Sequence, residues 1–449
     1  MADAETVAPA PARSFLSRLG LDRPVLRAWA MYDWANSVFM TIVILIFPIY
    51  FADVAAKGLP AAEASRRFAF ATTLSMTLVA LLSPFLGAAA DYAAAKKKFL
   101  AAFLGLGVIT TGGLALVGEG GWVLGAILFI LANIGVTSSI VFYESLLPHI
   151  CDESEVDRVS SAGYAMGYVG GGLAMAVSVL AIVKPAWFGL ADPSAATRLS
   201  FLFAAAWWAL FSIPLFRRVP EPPALHAAHE HPGQGILKIS VARLGQTLRD
   251  MKLFKQTLLF LIAFFIYNDG IGTIIRMASI YGREIGIGTN SLIVALMIVQ
   301  FVGIPFAFLF GAIADRIGAK RAIFLSLAVY LGIAVLGFYM KTSRDFFILA
   351  ILVGTVQGGS QALSRSLFTT MVPKHKSSEF FAFFSVFEKF AGILGPAVFT
   401  LVIGATGSSR GAILSLILFF LAGGALLAMV DVEKGQRAAR EAEARALAT

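Results

Sequence analysis

Residues 311–321 read GAIADRIGAKR, and residues 87–98 read GAAADYAAAKKK. Each stretch opens on Gly, places Asp four residues on, closes on basic residues, and stands between two long apolar runs. Gly87 and Gly311, Asp91 and Asp315, and Lys96 and Lys320 are each 224 residues apart, while Pro148 and Pro373, Gly167 and Gly392, and Gly170 and Gly395 are each 225 apart. Alone, either loop is a short turn with a helix cap and the positive charge expected beside a membrane. Two separate blocks in one register indicate instead an internal duplication, of the kind found in transporters with parallel halves.

Composition defines what is duplicated. Of the 449 residues 58% are hydrophobic and only 14% charged, and the mean hydropathy is +0.80. A soluble domain carries about 25% charged residues. Apolar runs long enough to cross a hydrocarbon core of about 30 Å are expected at 27–51, 66–90, 98–117, 121–147, 159–183, 198–216, 255–281, 290–314, 321–340, 344–371, 378–403 and 408–430. Runs of this length satisfy their backbone groups internally as helices, and the period-two segments of about ten residues that a barrel needs are not seen. The expected fold is therefore an all-α membrane protein with twelve transmembrane helices in two six-helix bundles. Its parts are a tail (1–24), a first bundle (25–216), a linker (217–254), a second bundle (255–430) and a C-terminal tail (431–449).

The polar stretch before residue 25 lacks a signal peptide's apolar core, so the first helix is expected to stay in the mature protein. Cys151 is the only cysteine, which excludes an internal disulfide and a multi-cysteine metal site. With an even helix number, both termini share one side, and that side holds 24 of the 36 Lys and Arg against 9 opposite. Both termini are thus expected in the cytoplasm. The net charge of +9 is then mostly this asymmetry, attracted to lipid headgroups, and calls for no nucleic acid. In the linker, Ile236, Ile239, Leu244, Leu248 and Met251 fall near one helical face against Lys238, Arg243, Arg249 and Lys252, as in an interfacial amphipathic helix. His226, His229 and His231 sit in a Pro- and Gly-rich stretch. A solvated linker explains them more simply than a metal, and no metal or cofactor is expected.

Charge inside a span costs roughly 2.5–3.5 kcal/mol per residue at a helix centre on insertion scales, and it usually faces a partner or a watery cavity. The spans hold Asp33, Glu144, Asp269, Arg276, Arg365, Glu388 and Lys389, with Asn36, Asn133, Asn268, Gln300, Gln357 and Gln361 as uncharged companions. Asp33 is expected about one and a half turns inside the first helix. It either pairs with Arg365 or caps a neighbouring helix, or else it is a cavity carboxylate binding a cation or proton.

The two Gly–Asp loops resemble the signature of the major facilitator superfamily, in which the Asp caps and bridges helices on the cytoplasmic side as a conformational latch. Gly311, Asp315, Arg316, Gly318, Lys320 and Arg321 match it well, whereas the first copy, with Gly87 and Asp91, has Tyr92 for the usual Arg and Ala94 for the usual Gly. The second loop is therefore expected to be the stronger latch. In that superfamily helices 1, 4, 7 and 10 line the central cavity, and five of the seven intramembrane charges fall on them. The blocks YDWANSVF (32–39), VFYESLLPHI (141–150), RVSSAGYAMGYVGGG (158–172), IYNDGIGT (266–273), GGSQALSRSLFTTMVP (358–373) and EFFAFFSVFEKFAGILGP (379–396) resemble the Atg22-like, or UMF1, branch. Glu144 departs from it, since Asn commonly follows the Tyr there.

The resemblance implies a secondary transporter, and its eukaryotic members are associated with export of amino acids from the vacuole. For this chain the bacterial look of the tails suggests the plasma membrane. The expected function is alternating-access transport of a small polar solute by a monomer, with amino acids the inherited guess. A zwitterion suits carboxylates beside basic and amide groups. No GxxxxGK motif is present, so uphill transport draws on an ion gradient, a proton first. The rivals are a lipid flippase or membrane enzyme reusing the fold, and a transport-like sensor. Against an enzyme, all five His are placed in loops or tails and neither GxSxG nor HExxH occurs. The candidate cavity residues are thus Asp33, Asn36, Glu144, Asn268, Asp269, Arg276, Gln357, Gln361, Arg365, Glu388 and Lys389.

Overall fold

The computed structural model describes residues 15–223, 245, 253–392, 394–406 and 409–448. Twelve helices in it are long and apolar enough to cross a membrane. In chain order they are α1 (Pro24–Ala55), α2 (Ala61–Tyr92), α3 (Lys96–Leu116), α4 (Trp122–Ile150), α5 (Val156–Val183), α6 (Pro193–Arg218), α7 (Lys255–Glu284), α8 (Thr289–Ile317), α9 (Ala319–Tyr339), α10 (Ser343–Thr370), α11 (Lys374–Ala405) and α12 (Ser409–Met429). The expected amphipathic helix at 236–252 and the three linker histidines lie outside the described residues.

Local chemistry sets several of these boundaries. Pro24 opens α1 at its first turn, where a missing N–H costs nothing. Asp33 is consequently about two and a half turns inside the helix, deeper than expected. The same helix widens into π-turns at Phe39–Val43 and Phe51–Ala55, on either side of Pro48, a local irregularity often found near functional sites. α11 is not the continuous span anticipated: it breaks between Ser377–Phe390 and Leu394–Thr406. Pro396 accounts for this, because its ring clashes with the carbonyl four residues back and donates no hydrogen bond. Thr342 and Asp345 form a reciprocal capping box that starts α10.

Each six-helix half has its own core. Phe47, Phe129 and Phe201 cluster in the first, with Phe47 and Phe129 ring centroids 5.3 Å apart. In the second, Phe264 stacks on Phe384 at 4.5 Å and Phe368 lies 4.9 Å from Phe384. The halves meet through α2 against α11, α5 against α8 and α10, and α4 against α11. The residues expected as a C-terminal tail form a further helix, α13 (Val432–Ala448), in keeping with its Ala, Glu and Arg content. It spans both halves at the end where the termini lie: Arg440 pairs with Glu153 at 2.6 Å, and Glu443 accepts the Lys374 backbone N–H at 2.6 Å.

The motif glycines stand at the crossings between the halves. A Cβ on Gly87 of α2 would lie 2.5 Å from the Ser378 carbonyl oxygen of α11, and one on Gly311 of α8 would lie 2.9 Å from the Ser161 Cβ of α5. Backbone atoms cannot yield as a flexible side chain does, so a side chain at position 87 must separate α2 from α11. Gly87→Val is therefore expected to open the termini end. In a Cys151→Ser background, a cysteine placed at the fully buried Ser145 should react with a polar maleimide at least about tenfold faster, a bias of roughly 1.4 kcal/mol. Unchanged protection would contradict this packing.

Candidate functional site

A cavity of ≈ 770 Å³ lies between the halves. Its wall is mostly apolar and comes from Met40 and Ile44 of α1, Leu292 and Leu296 of α8, Gly337 of α9 and Met340 just after it, and Phe346 and Val353 of α10. These positions lie toward the end opposite the termini. Its floor is polar. Asp33, Asn36, Glu144, Arg276, Gln357, Gln361, Arg365, Glu388 and Lys389 all line it, nine of the eleven candidates.

The centre of the floor is Arg365, which comes from α10 in the second half while its charged and hydrogen-bonding partners come from the first. Its side chain is 2% exposed. Nε donates to Ser160 Oγ and Nη2 to the Ser160 carbonyl, both at 2.9 Å. Nη1 and Nη2 donate to Asp33 Oδ2 at 3.3 and 3.2 Å, and Nη1 lies 3.6 Å from Glu144 Oε1. The Tyr143 hydroxyl donates to the same Asp33 oxygen at 2.8 Å. Around the guanidinium stand the rings of Tyr164, Trp29 and Tyr143, at 4.5, 4.9 and 5.8 Å, within reach of cation–π attraction. Arg365 thus pairs with Asp33, as weighed from sequence, and more loosely with Glu144.

Burying an ion is costly unless it is paired and its donors are used. Arg365 meets that condition only while the halves are together. Gly163 of α5 makes the space: a Cβ there would enter the volume of the Asp33 carboxylate and lie 2.9 Å from Arg365 Nη2. Trp29, Tyr143, Ser160 and Tyr164 were not among the candidates. Trp29 precedes Asp33 by one helical turn and Tyr143 adjoins Glu144, a proximity that the charge-led reading passed over.

The second-half charges are arranged differently. Glu388 and Lys389, adjacent in sequence, contact each other at 3.4 Å. Arg276 lies against Gly272 and Gly392 and donates to the Ala391 carbonyl at 3.2 Å, and no acidic side chain pairs with it among the described residues. Asn268 and Asp269 do not line the cavity, contrary to expectation. Asn268 accepts from Gln361 Nε2 at 2.6 Å, and the Asp269 carboxylate accepts the Gly395 N–H at 2.6 Å. Asp269 faces the break in α11 and caps its second segment.

At the termini end the two Gly–Asp loops reach across the seam with unequal grip. Asp91 has a fully buried side chain, pairs with Lys96 and accepts the Glu379 N–H of α11 at 2.9 Å, a carboxylate at a helix N-terminus. Lys96 donates to Ser377 and Ser378 at 2.9 Å each, and Ser377 lies 3.2 Å from His149, which sits on a short helix in this seam and not in a loop. Asp315 is the more exposed, 3.3 Å from Arg158 of α5. Arg316 is exposed and makes no ion pair among the described residues. The expectation that the second copy grips harder is corrected. Ala94 takes the left-handed φ of +44° that glycine would take more cheaply, and so the first loop still turns.

Known proteins define first the class. The chain superposes on the major facilitator proton:xylose symporter XylE with a TM-score of 0.67 at 15% identity, over 94% of this chain and 97% of that one. For FucP in the outward conformation the TM-score is 0.64 at 12% identity, over 92% and 99%. Residues 57–440 match the family described as vacuole effluxer Atg22 like, and the chain belongs to that family. It is 37% identical over 409 residues to YxiO of Bacillus subtilis (strain 168), named an uncharacterized MFS-type transporter, across 90% of this chain and 94% of that one. It is also 27% identical over 316 residues to autophagy-related protein 22 of Yarrowia lipolytica, covering 64% of this chain and about half, 52%, of the fungal protein. The chain is thus a twelve-span major facilitator transporter and not an enzyme.

The unequal loops yield a comparison. Asp91→Ala leaves Lys96 buried without its counter-ion, a loss of about 3–5 kcal/mol. Asp315→Ala removes a less buried pair, with the Arg158 and Asp315 side chains 11% and 26% exposed, and costs less. Solute exchange and protection of the termini-end seam should therefore suffer more in Asp91→Ala. Equal defects, or a larger one in Asp315→Ala, would contradict the ranking.

Proposed function

We propose that the protein is a proton-coupled secondary carrier of a small zwitterionic solute, with amino acids the first class to test. In this reading it sits in a bacterial plasma membrane with both termini in the cytoplasm, and the structure represents the outward-facing state. The observation that carries the reading is the Arg365–Asp33–Glu144 cluster at the floor of a cavity whose apolar wall lies toward the end opposite the termini. With both carboxyls ionised, the cluster has one negative charge in excess. Across the cavity, Arg276 forms no close ion pair among the described residues, gives one donor to the Ala391 carbonyl and has Asp269 as its charged neighbour on α7. An excess negative charge and a guanidinium with donors to spare, facing one space, complement a solute with an ammonium at one end and a carboxylate at the other.

Several features support the remaining parts. The excess of Lys and Arg on the termini side favours a cytoplasmic placement. The family description and the fungal relatives point to efflux as the direction to test. The absence of a nucleotide-binding motif, together with ionisable groups in the floor, favours a proton gradient as the driving force.

Purified protein in liposomes preloaded with unlabelled amino acids should accumulate radiolabelled amino acids by counterflow. Asp33→Asn should reach the membrane but lose exchange, because Glu144 at 3.6 Å replaces the closer partner poorly. Removing one partner of a buried pair costs about 3–5 kcal/mol, a loss of roughly a hundredfold or more. Absence of saturable counterflow across the amino acids would sink the substrate class, and full exchange by Asp33→Asn would remove that residue from the mechanism.

A further inference from the structure

We propose that Glu144 is the group that takes up and releases the coupling proton, and that Asp33 is the standing counter-ion of Arg365. The inference rests on the carrier reading above and assigns the proton to one of its residues. The two carboxyls stand on either side of one guanidinium and differ in what holds them. Asp33 Oδ2 receives Nη1 at 3.3 Å, Nη2 at 3.2 Å and the Tyr143 hydroxyl at 2.8 Å. A carboxylate with three donors, two of them charged, is stabilised as the anion. Glu144 has no hydrogen bond among the described residues. Its Oε1 lies 3.6 Å from Nη1, and its Oε2 is buried without a partner.

A buried carboxylate oxygen with no donor is expensive as an anion. The same side chain protonated is neutral. The groups facing it set the balance. Arg365 of α10 favours the anion, as does Lys389 of α11, while Asp33 of α1 and Glu388 of α11 oppose it, and Tyr164 of α5 adds an uncharged wall. Lys389 is already engaged by Glu388 at 3.4 Å, which leaves Arg365 as the main support for a charged Glu144, and Arg365 gives its hydrogen bonds to Asp33.

The proton path needs no further group. Glu144 lines the cavity, so a hydronium ion in cavity water can transfer its proton to the Glu144 carboxylate, leaving water and a carboxylic acid. No bond to the solute forms or breaks. Protonation removes the excess negative charge from the floor and leaves the guanidinium to Asp33 alone. Loss of the proton restores a second acceptor, and the cluster again attracts a cationic group from the cavity. Solute binding and proton binding are thereby placed on one net charge, which is the linkage that coupling requires.

Infrared difference spectra of the purified full-length protein test the assignment without any solute. Spectra are recorded on acidification down to about pH 5.5, where exposed carboxyls with ordinary values near about 4 stay ionised. The wild type should show a growing carboxylic acid carbonyl band with a component that shifts with isotope-labelled glutamate. That component should persist in Asp33→Asn and in Glu388→Gln and disappear in Glu144→Gln. Because the labelled wild type reports by itself, misfolding of a variant does not remove the test. A wild-type band with no glutamate component, a glutamate component that survives in Glu144→Gln, or one that is lost in Glu388→Gln would overturn the proposal, as would no band in the wild type. Counterflow by the wild type tests the carrier reading separately, so the two failures are distinguishable.

Discussion

Arg365 is anchored in one half of the molecule and held by the other. Its backbone belongs to α10, yet each carboxylate and hydroxyl that satisfies it comes from α1, α4 or α5. A guanidinium that is 2% exposed cannot lose those partners without gaining water or a ligand. The closed seam and the satisfied charge are therefore one state. If the halves rock so that the termini end opens, the partners of Arg365 must separate, and the cost falls on the residues that also form the cavity floor. This joins the binding site mechanically to the gate. A change in charge at the floor alters the stability of one conformation relative to the other by the differential interaction alone.

The rest of the closed end serves the same seam. Gly87 and Gly311 bring backbones together, Asp91 and Lys96 fill a dry crossing with matched charge, and α13 ties Glu153 of the first half to Lys374 of the second. None of these contacts touches the cavity. They act by setting the population of the closed state. The duplicated sequence does not make the two sides equal: the loop nearer the motif pattern carries the looser and more exposed pair. Burial decides much of the strength of an ion pair, and motif similarity does not report it.

The duplication, the twelve spans and the intramembrane charges were legible because each leaves a trace in residue order. The register of 224–225 residues came from identical residue types, and the spans came from hydropathy. What order alone could not supply was direction. In helices apolar on nearly every face, the 3.6-residue period carries little contrast, so nothing distinguished Asp269, which is used as a cap at the break in α11, from Arg276, which lies at the same break and also lines the cavity. Trp29, Tyr143 and Tyr164 were hidden for the opposite reason: aromatic residues are common in such helices, and only the position of the Arg365 guanidinium reveals a ring of them around one charge. The break in α11 was signalled by Gly392 and Pro396, but Pro48 and Pro305 lie inside helices that continue, so proline by itself gave no decision.

The central claim is that the charge of Arg365, held by the first half, keeps the termini end shut. Spin labels at the exposed Arg218 of α6 and Arg321 of α9 report the separation of the two halves at that end by pulsed electron resonance. The account predicts one dominant short distance in the otherwise unmodified protein and a shift of population to a longer distance in Arg365→Met, which keeps an unbranched apolar stem and removes the charge. A distance distribution that is the same with and without the guanidinium would contradict it.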